Sequence, residues 1–283
     1  MGYLHIDNLY KNQTILMFKE CYALEKIHGT SAHIRWKDDV LTFFSGGAKY
    51  VNFIALFDHD DLIRRFQEIG VSDICIYGEA YGGKIQGMKD TYGDKLRFIV
   101  FDVKIGGMWL DVPKMDQITD TMGLKVVPWR MIDATIEEIN SVRDQGSTVG
   151  YELGNEGKKR EGVVLRPLIE CTLNNGKRII AKHKRDDFRE TKAPREISPE
   201  QLGVLTEAGE IADEWVTEMR LTHVLNSLGG DVQIEQIPDV IRAMFADVER
   251  EAEGEIVMSK AARRAISKRT ASMFKARLKG VLK

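Results

Sequence analysis

Apolar and polar positions alternate with period two over Ala32, Ile34 and Trp36, which predicts a strand with one buried face, emerging from a tight turn at Gly29. An apolar run at 41–44 ends at Ser45-Gly46-Gly47, a glycine pair that predicts either a turn or a close backbone approach to a ligand. At Leu62, Ile63, Phe66 and Ile69 the period becomes that of an amphipathic helix, closed by Gly70. Asp58-His59-Asp60-Asp61 just ahead has the composition of a metal cluster. Acidic groups in a first helical turn meet free amides and the positive dipole end, so capping is the preferred reading. Residues 74–77 predict a buried strand that delivers Gly78-Glu79 at its end, before Tyr81-Gly82-Gly83. Residues 97–103 predict the next strand, in which Phe101 is either core or a surface on which a ring could stack. Asp133 is expected to cap a helix bearing Ile136, Ile139 and Val142.

Further on, a polar, basic loop at 154–160 leads to Glu161 and the apolar stretch 162–167. A glutamate there is either a partner for a metal or nucleophile, or a solubilising charge at a strand edge. Asn174-Asn175-Gly176 signals a hairpin turn that launches a strand over 178–184. Side chains alternate across a strand, so Lys182 and Lys184 share a face, as a solvated basic edge or as a clamp on polyphosphate. Pro194 and Pro199 mark a linker over 191–199, and Ser198-Pro199-Glu200-Gln201 has the form of a capping box. Beyond it the pattern is helical, broken at Gly229-Gly230, Pro238 and Gly254. The last segment sets Lys260, Arg264, Lys268, Lys275 and other cations against Ile266, Met273, Phe274 and Leu278. Such a helix is a solvated face or a way of holding a phosphate backbone. The expected class is α+β: a mixed unit over 1–193 and an all-helical one over 198–283.

Composition narrows the function classes. With 43% hydrophobic and 30% charged residues the 283-residue chain is expected to be globular, and no apolar run is long enough to cross a bilayer, so no membrane partner is expected. No basic-then-apolar leader opens the sequence, and a cytoplasmic monomer is expected. Cys21, Cys75 and Cys171 are odd in number and far apart, against both a disulfide framework and a zinc site. A net charge of −2 leaves nucleic-acid binding to local basic surface.

Chemistry centres on Lys26, in Glu25-Lys26-Ile27-His28-Gly29-Thr30-Ser31. A lone Lys-x-x-Gly is a common pattern and most lysines are solvated charges, yet this one lies in a dense mixture of polar and small residues behind apolar Tyr22, Ala23 and Leu24. As a nucleophile it would need a desolvated site or cationic neighbours that favour the free amine.

Taken in order, Lys26-Ile27-His28-Gly29, Gly78-Glu79, Phe101-Asp102, Glu161-Gly162 and Lys182-His183-Lys184 resemble the motif set of the covalent nucleotidyltransferases, the ATP-dependent polynucleotide ligases and mRNA capping enzymes. Glu-Lys-Ile-His-Gly-Thr is similar in particular to the RNA ligases typified by phage RNA ligase 2, which seal nicks in duplex RNA. The resemblance covers about 20–190 and implies an ATP-grasp-like ligase domain of antiparallel sheets with flanking helices. It implies that Lys26 takes AMP from ATP, that the AMP passes to an RNA 5′-phosphate, and that a 3′-hydroxyl displaces it, as in RNA repair. It further implies that Glu79 contacts the ribose, Phe101 stacks on adenine and Lys182 and Lys184 hold the phosphates. Glu161 would bind Mg2+ or Mn2+, Glu25 and Ile27 would offer backbone groups to adenine, and His28, Gly29 and Thr30 would complete the nucleotide site. In this reading Lys182, Lys184 and the metal are the cations that keep Lys26 unprotonated. Ser31 stands where the phage sealers have asparagine, and 43–50 lacks an expected arginine, for which Arg35 or Lys49 would substitute. Only 25 residues precede Lys26, too few for a nicotinamide-mononucleotide domain, so ATP is the expected donor. A DNA ligase or capping enzyme would be expected to continue into a β-rich domain rather than helices. An RNA-binding protein that has lost the chemistry is the non-catalytic alternative, against which Lys26, Glu161 and Lys182 stand.

Overall fold

Lys26 closes β1 (Glu20–Lys26), and a short turn returns the chain as β2 (Thr30–Lys37) and β3 (Val40–Ser45). Then follow α1 (Tyr50–Ile54), α2 (His59–Ile69), β4 (Asp73–Tyr81), α3 (Lys89–Tyr92), β5 (Arg97–Ile105), β6 (Met108–Trp109) and α4 (Val112–Thr121). The β-rich part ends with β7 (Trp129–Asp133), α5 (Ile136–Arg143), α6 (Thr148–Glu152), β8 (Gly162–Pro167) and β9 (Ala181–Lys184). The computed structural model describes residues 2–192 and 207–280. It divides into two units, Met1–Arg185 and Asp186–Lys283.

Two antiparallel sheets form the first unit, one ordered β7-β1-β8-β9 and the other β3-β2-β4-β5-β6. The α+β class and the flanking helices expected from the sequence are present. Ala32, Ile34 and Trp36 form the buried face of β2, as their alternation requires, with Ile74, Ile76 and Val103 beside them. Helix α2 covers that face, its Phe66 ring stacked on Trp36 at 5.8 Å, and α4 adds Val112 and Met115 to the same core. The opposite face carries Ser31, His33 and Arg35 of β2 beside Glu79, Tyr77 and Cys75 of β4.

The acidic run behaves as a cap. Asp58 accepts a hydrogen bond from the Asp61 amide, and Asp61 is bound by Arg64 and Arg65. Three local expectations need correction. Glu79 does not end its strand: β4 runs on to Tyr81, pairing Glu79 with Ser31 and Ile99. Asp133 does not cap α5. It still pairs with Glu20 as the last residue of β7, and Thr135 accepts from the Glu138 amide instead. The late strand begins at Ala181 rather than 178. Pro167, which would face Ile179 in a continued register, has no amide hydrogen to donate, and Arg178 makes only an isolated bridge to Thr172.

The second unit is helical: α7 (Ala208–Trp215), α8 (Glu218–Ser227), α9 (Ile237–Glu251) and α10 (Lys260–Leu278). Trp215, Leu221, Met244, Ile266 and Phe274 form its core. Pro238 lies in the first turn of α9, where its missing N–H costs nothing, so it starts a helix rather than breaking one. The expected linker beyond Lys192 and the capping box at 198–201 lie outside the described residues. Among the described residues no helix is long and apolar enough to cross a membrane.

Candidate active site

Antiparallel register places Lys26 opposite Gly162 and Gly162 opposite Lys184. Cross-strand partners point the same way, so Lys26, Lys184 and, two residues earlier, Lys182 share one face of the first sheet. Gly162 between them is obligatory: a Cβ there would lie 2.1 Å from the His183 carbonyl oxygen and 2.8 Å from the Lys184 Cα. Glu161, immediately before it, is 1% exposed. Its Oε2 is 3.0 Å from Lys26 Nζ and 3.2 Å from His28 Nδ1, and its Oε1 is 3.0 Å from Lys184 Nζ. Burial alone would raise the Glu161 pKa, but Lys26, Lys184 and His28 hold it well below the usual carboxylate range. The result is one buried anion shared by two lysines.

Gly29 brings the second sheet to this cluster. Its amide donates to Glu79 Oε1 at 3.1 Å, and a Cβ at this position would fall 2.4 Å from the Ala80 carbonyl oxygen. Burial pushes the Glu79 carboxyl up to about 7, Glu161 adding to the shift and Lys26 opposing it. Thr30 begins β2 opposite Ala80, and Ile27 is part of the apolar core. Glu25 is buried, accepting from Ser147 Oγ at 2.6 Å and the Thr148 amide at 2.9 Å, with Arg160 at 3.8 Å. Its own amide donates to Pro128 O. Lys182 is buried and its backbone pairs with the N-terminal segment, through Leu9 N to Lys182 O at 2.8 Å and Lys182 N to Asp7 O at 2.9 Å. Phe101 is half-buried against the edge of Tyr3, ring centres 4.8 Å apart.

Several contributors were not visible in the sequence pattern. Tyr92 Oη receives the His28 amide at 3.4 Å and Gln86 Nε2 donates to Gly29 O at 3.2 Å. Ser147 caps α6, a role its Ser-Thr pair could have signalled. Neither substitute for the missing arginine reaches the lysine cluster: Arg35 is turned to Asp73, both nitrogen contacts at 3.1–3.2 Å, and Lys49 is exposed ahead of α1.

Beside the lysine cluster, Asp102 of β5 pairs with Arg166 of β8 at 3.1 Å and with Arg178 at 2.6 Å. Both arginines also bind Glu170, and Tyr3 Oη donates to Asp102 Oδ2 at 2.5 Å. Two carboxylates thus meet two guanidiniums, and the network joins the two sheets next to Phe101.

Among the described residues, no three His, Cys, Asp or Glu side chains form a metal cage. A hard divalent ion needs only one or two carboxylates when phosphates complete its shell, and the buried, anionic Glu161 fits that role. In the helical unit, α10 contains no acidic residue. Its Lys260, Arg264, Lys268, Lys275 and Lys279 are exposed on one side, while Arg263 and Arg269 are paired with Glu249 and Asp213.

Two antiparallel sheets meeting at a strand-terminal lysine, with a buried glutamate and a second lysine across the ladder, define the nucleotidyltransferase type of fold. The chain belongs to the RNA ligase family, whose model matches residues 19–184. No curated protein sequence matches it. Solved structures of a Naegleria gruberi RNA ligase share the fold. A ligand-free variant is 19% identical with a TM-score of 0.53, over 66% of this chain and 56% of that one. The form with pyrophosphate is 18% identical, TM-score 0.53, over 66% and 57%. A variant with AMP and Mn is 17% identical, TM-score 0.53, over 66% and 57%. The chain therefore spans a little over half the length of these structures.

Proposed function

We propose that the protein is an ATP-dependent RNA ligase that joins 3′-hydroxyl and 5′-phosphate RNA ends through an AMP carried on Lys26. The observation that carries this reading is the Glu161 cluster: two lysines from different strands converge on a single buried carboxylate, with the Lys26 side chain still partly open to solvent. The Lys26 side chain is 22% exposed and the residue ends its strand, so it can be reached by a nucleotide. In the first step Lys26, as the neutral amine with its proton released to solvent, attacks the α-phosphorus of ATP, and pyrophosphate departs with the electrons of the broken P–O bond. Glu161 orients the amine through its 3.0 Å contact, and Lys184 faces the departing phosphates. Glu79, held by the Gly29 amide, is available to a ribose hydroxyl. Phe101 offers a ring on the adjacent strand. A divalent ion, which Glu161 would hold together with phosphate oxygens, would neutralise charge on the leaving group.

That Naegleria ligase structures contain AMP or ATP with Mn supports the choice of nucleotide and metal. RNA as the polynucleotide is supported by the family and by the exposed cations along α10. In the second step an RNA 5′-phosphate oxygen attacks the AMP phosphorus and the P–N bond breaks to return the Lys26 amine; in the third a 3′-hydroxyl attacks that RNA 5′-phosphorus, losing its proton, and AMP leaves. Incubation with radiolabelled ATP and magnesium should label the protein covalently, and Lys26→Ala should abolish the label. Labelling by GTP in preference to ATP would transfer the reading to capping chemistry, and no label from either would leave an RNA-binding protein without catalysis.

A further inference from the structure

A cavity of about 250 Å³ opens on the same face of the second sheet that presents Glu79 to the lysine cluster, lined by Gly2, His33, Arg35, Asp73, Tyr77 and Lys104 among others. Its position follows from period two. Ser31 pairs with Glu79 on β4, and His33 and Arg35 lie two and four residues further along β2 on the same side. The cavity floor thus lies about 7–13 Å along the strand from Glu79, at about 3.3 Å per residue.

The lining is polar and incompletely satisfied. His33 Nδ1 is buried with no hydrogen-bond partner, as is Ser31 Oγ two residues earlier outside the lining, although nearly all such groups in folded proteins have one. His33 is 9% exposed, stacked on Phe44 at 5.1 Å and tilted against Tyr77 at 5.4 Å, so its ring is fixed in place. Burial holds it neutral, with its pKa down to about 4, and the nearby Arg35 acts in the same direction. Tyr77 and Cys75 are held neutral too, chiefly by burial. Of the charged groups, Arg35 is offset by Asp73 through their bidentate pair. Lys104 makes no ion pair among the described residues; its ammonium lies 5.2 Å from the Trp109 ring. The cavity therefore carries net positive character beside neutral polar side chains.

We infer that this cavity is a polynucleotide subsite, in which Lys104 and Arg35 hold a backbone phosphate of the RNA strand whose end lies at Lys26. The inference rests on the ligase reading for the direction of the strand, from Glu79 toward Arg35. A phosphate is the ligand class that the lining favours, because Lys104 and Arg35 bring positive charge to it and Lys104 has no carboxylate partner among the described residues. Neutral His33 and Tyr77 then serve the adjoining sugar, as groups that can both donate and accept.

The test compares the full-length protein with Lys104→Glu and Lys104→Arg, reading two signals. The first is self-labelling with ATP; the second is the affinity for nicked duplex RNA, measured without ATP across a salt series. The expected result is self-labelling within about twofold of wild type in both variants. RNA affinity should fall about tenfold in Lys104→Glu at low salt and be restored in Lys104→Arg, with the slope of log affinity against log salt reduced by about one in the glutamate variant. An unchanged affinity and slope would overturn the inference. So would a parallel fall in self-labelling and RNA affinity, since the cavity would then belong to the nucleotide donor. If wild type failed to label, the ligase reading would fall, while the ATP-free RNA measurement would still decide whether the cavity holds phosphate.

Discussion

Two clusters of charge stand in the first unit, one joining its two sheets and the other gathered on the first sheet, and they are built to different rules. At Asp102 and Glu170, two carboxylates face Arg166 and Arg178, and every side chain in the set is at most 12% exposed. At Glu161, one carboxylate serves Lys26 and Lys184 with His28 alongside, and the lysines remain 22% and 12% exposed. The first set is closed and balanced, uses rigid planar forks, and suits the holding of a geometry. The second sets two flexible lysine side chains on one carboxylate and stays partly open to solvent. What the contrast teaches is that exposure beside a nucleophile is more informative than the number of ion pairs: the arginine network is sealed, whereas the lysines that share Glu161 keep part of their side chains open to a polyphosphate.

Separating the two clusters by mutation sharpens this difference. The largest effect is expected for Lys184→Met, which should slow self-labelling by ATP about 100- to 1000-fold, roughly 3–4 kcal/mol of barrier, while moving the urea midpoint little. A large stability loss with normal labelling would reverse the roles assigned to the clusters. Arg178→Met should do the opposite. It leaves Asp102 and Glu170 with too few partners and should cost about 3–5 kcal/mol in urea unfolding, with labelling per folded molecule close to wild type.

A smaller effect, distinguished by its pH dependence, is expected for Glu161→Gln. The folded-state pKa of Glu161 is depressed, so its contribution is present above the unfolded value of about 4.3 and is lost as the pH falls through the lower folded value. The variant should accordingly be less stable than wild type by about 2–3 kcal/mol near neutrality, and the gap should narrow in acid. A gap that stayed constant from pH 7 down to 3 would show that charge is not what Glu161 contributes.

The two clusters also differ in how far they could be read from the sequence. Lys26, Glu161 and Lys184 stood out because each lies at a strand start or end beside a glycine or a basic partner, and their order matched a known motif set. The α+β class and the capping of α2 were legible for a similar reason, since each depends on neighbours within a few residues. Asp102, Arg166, Glu170 and Arg178 were not singled out as a network because their pairing spans 64 to 76 positions between Asp102 and its arginines and leaves no local pattern. Only the fold brings them together. Thr135 was passed over for Asp133, since a capping signal two residues away looks the same until β7 is known to end between them. The cavity at His33 was equally silent, because an alternating strand marks which face is buried and says nothing of what its polar face surrounds.

The strand that carries Lys182 and Lys184 is the last of its sheet, and the backbone of Asp7 and Leu9 pairs with Lys182 on its outer side. Stripping away the opening ten residues would bare a row of donors and acceptors on that rim. The trimmed protein would then tend to self-associate through the very strand that bears its phosphate-facing lysines, blocking nucleotide entry and promoting aggregation at once.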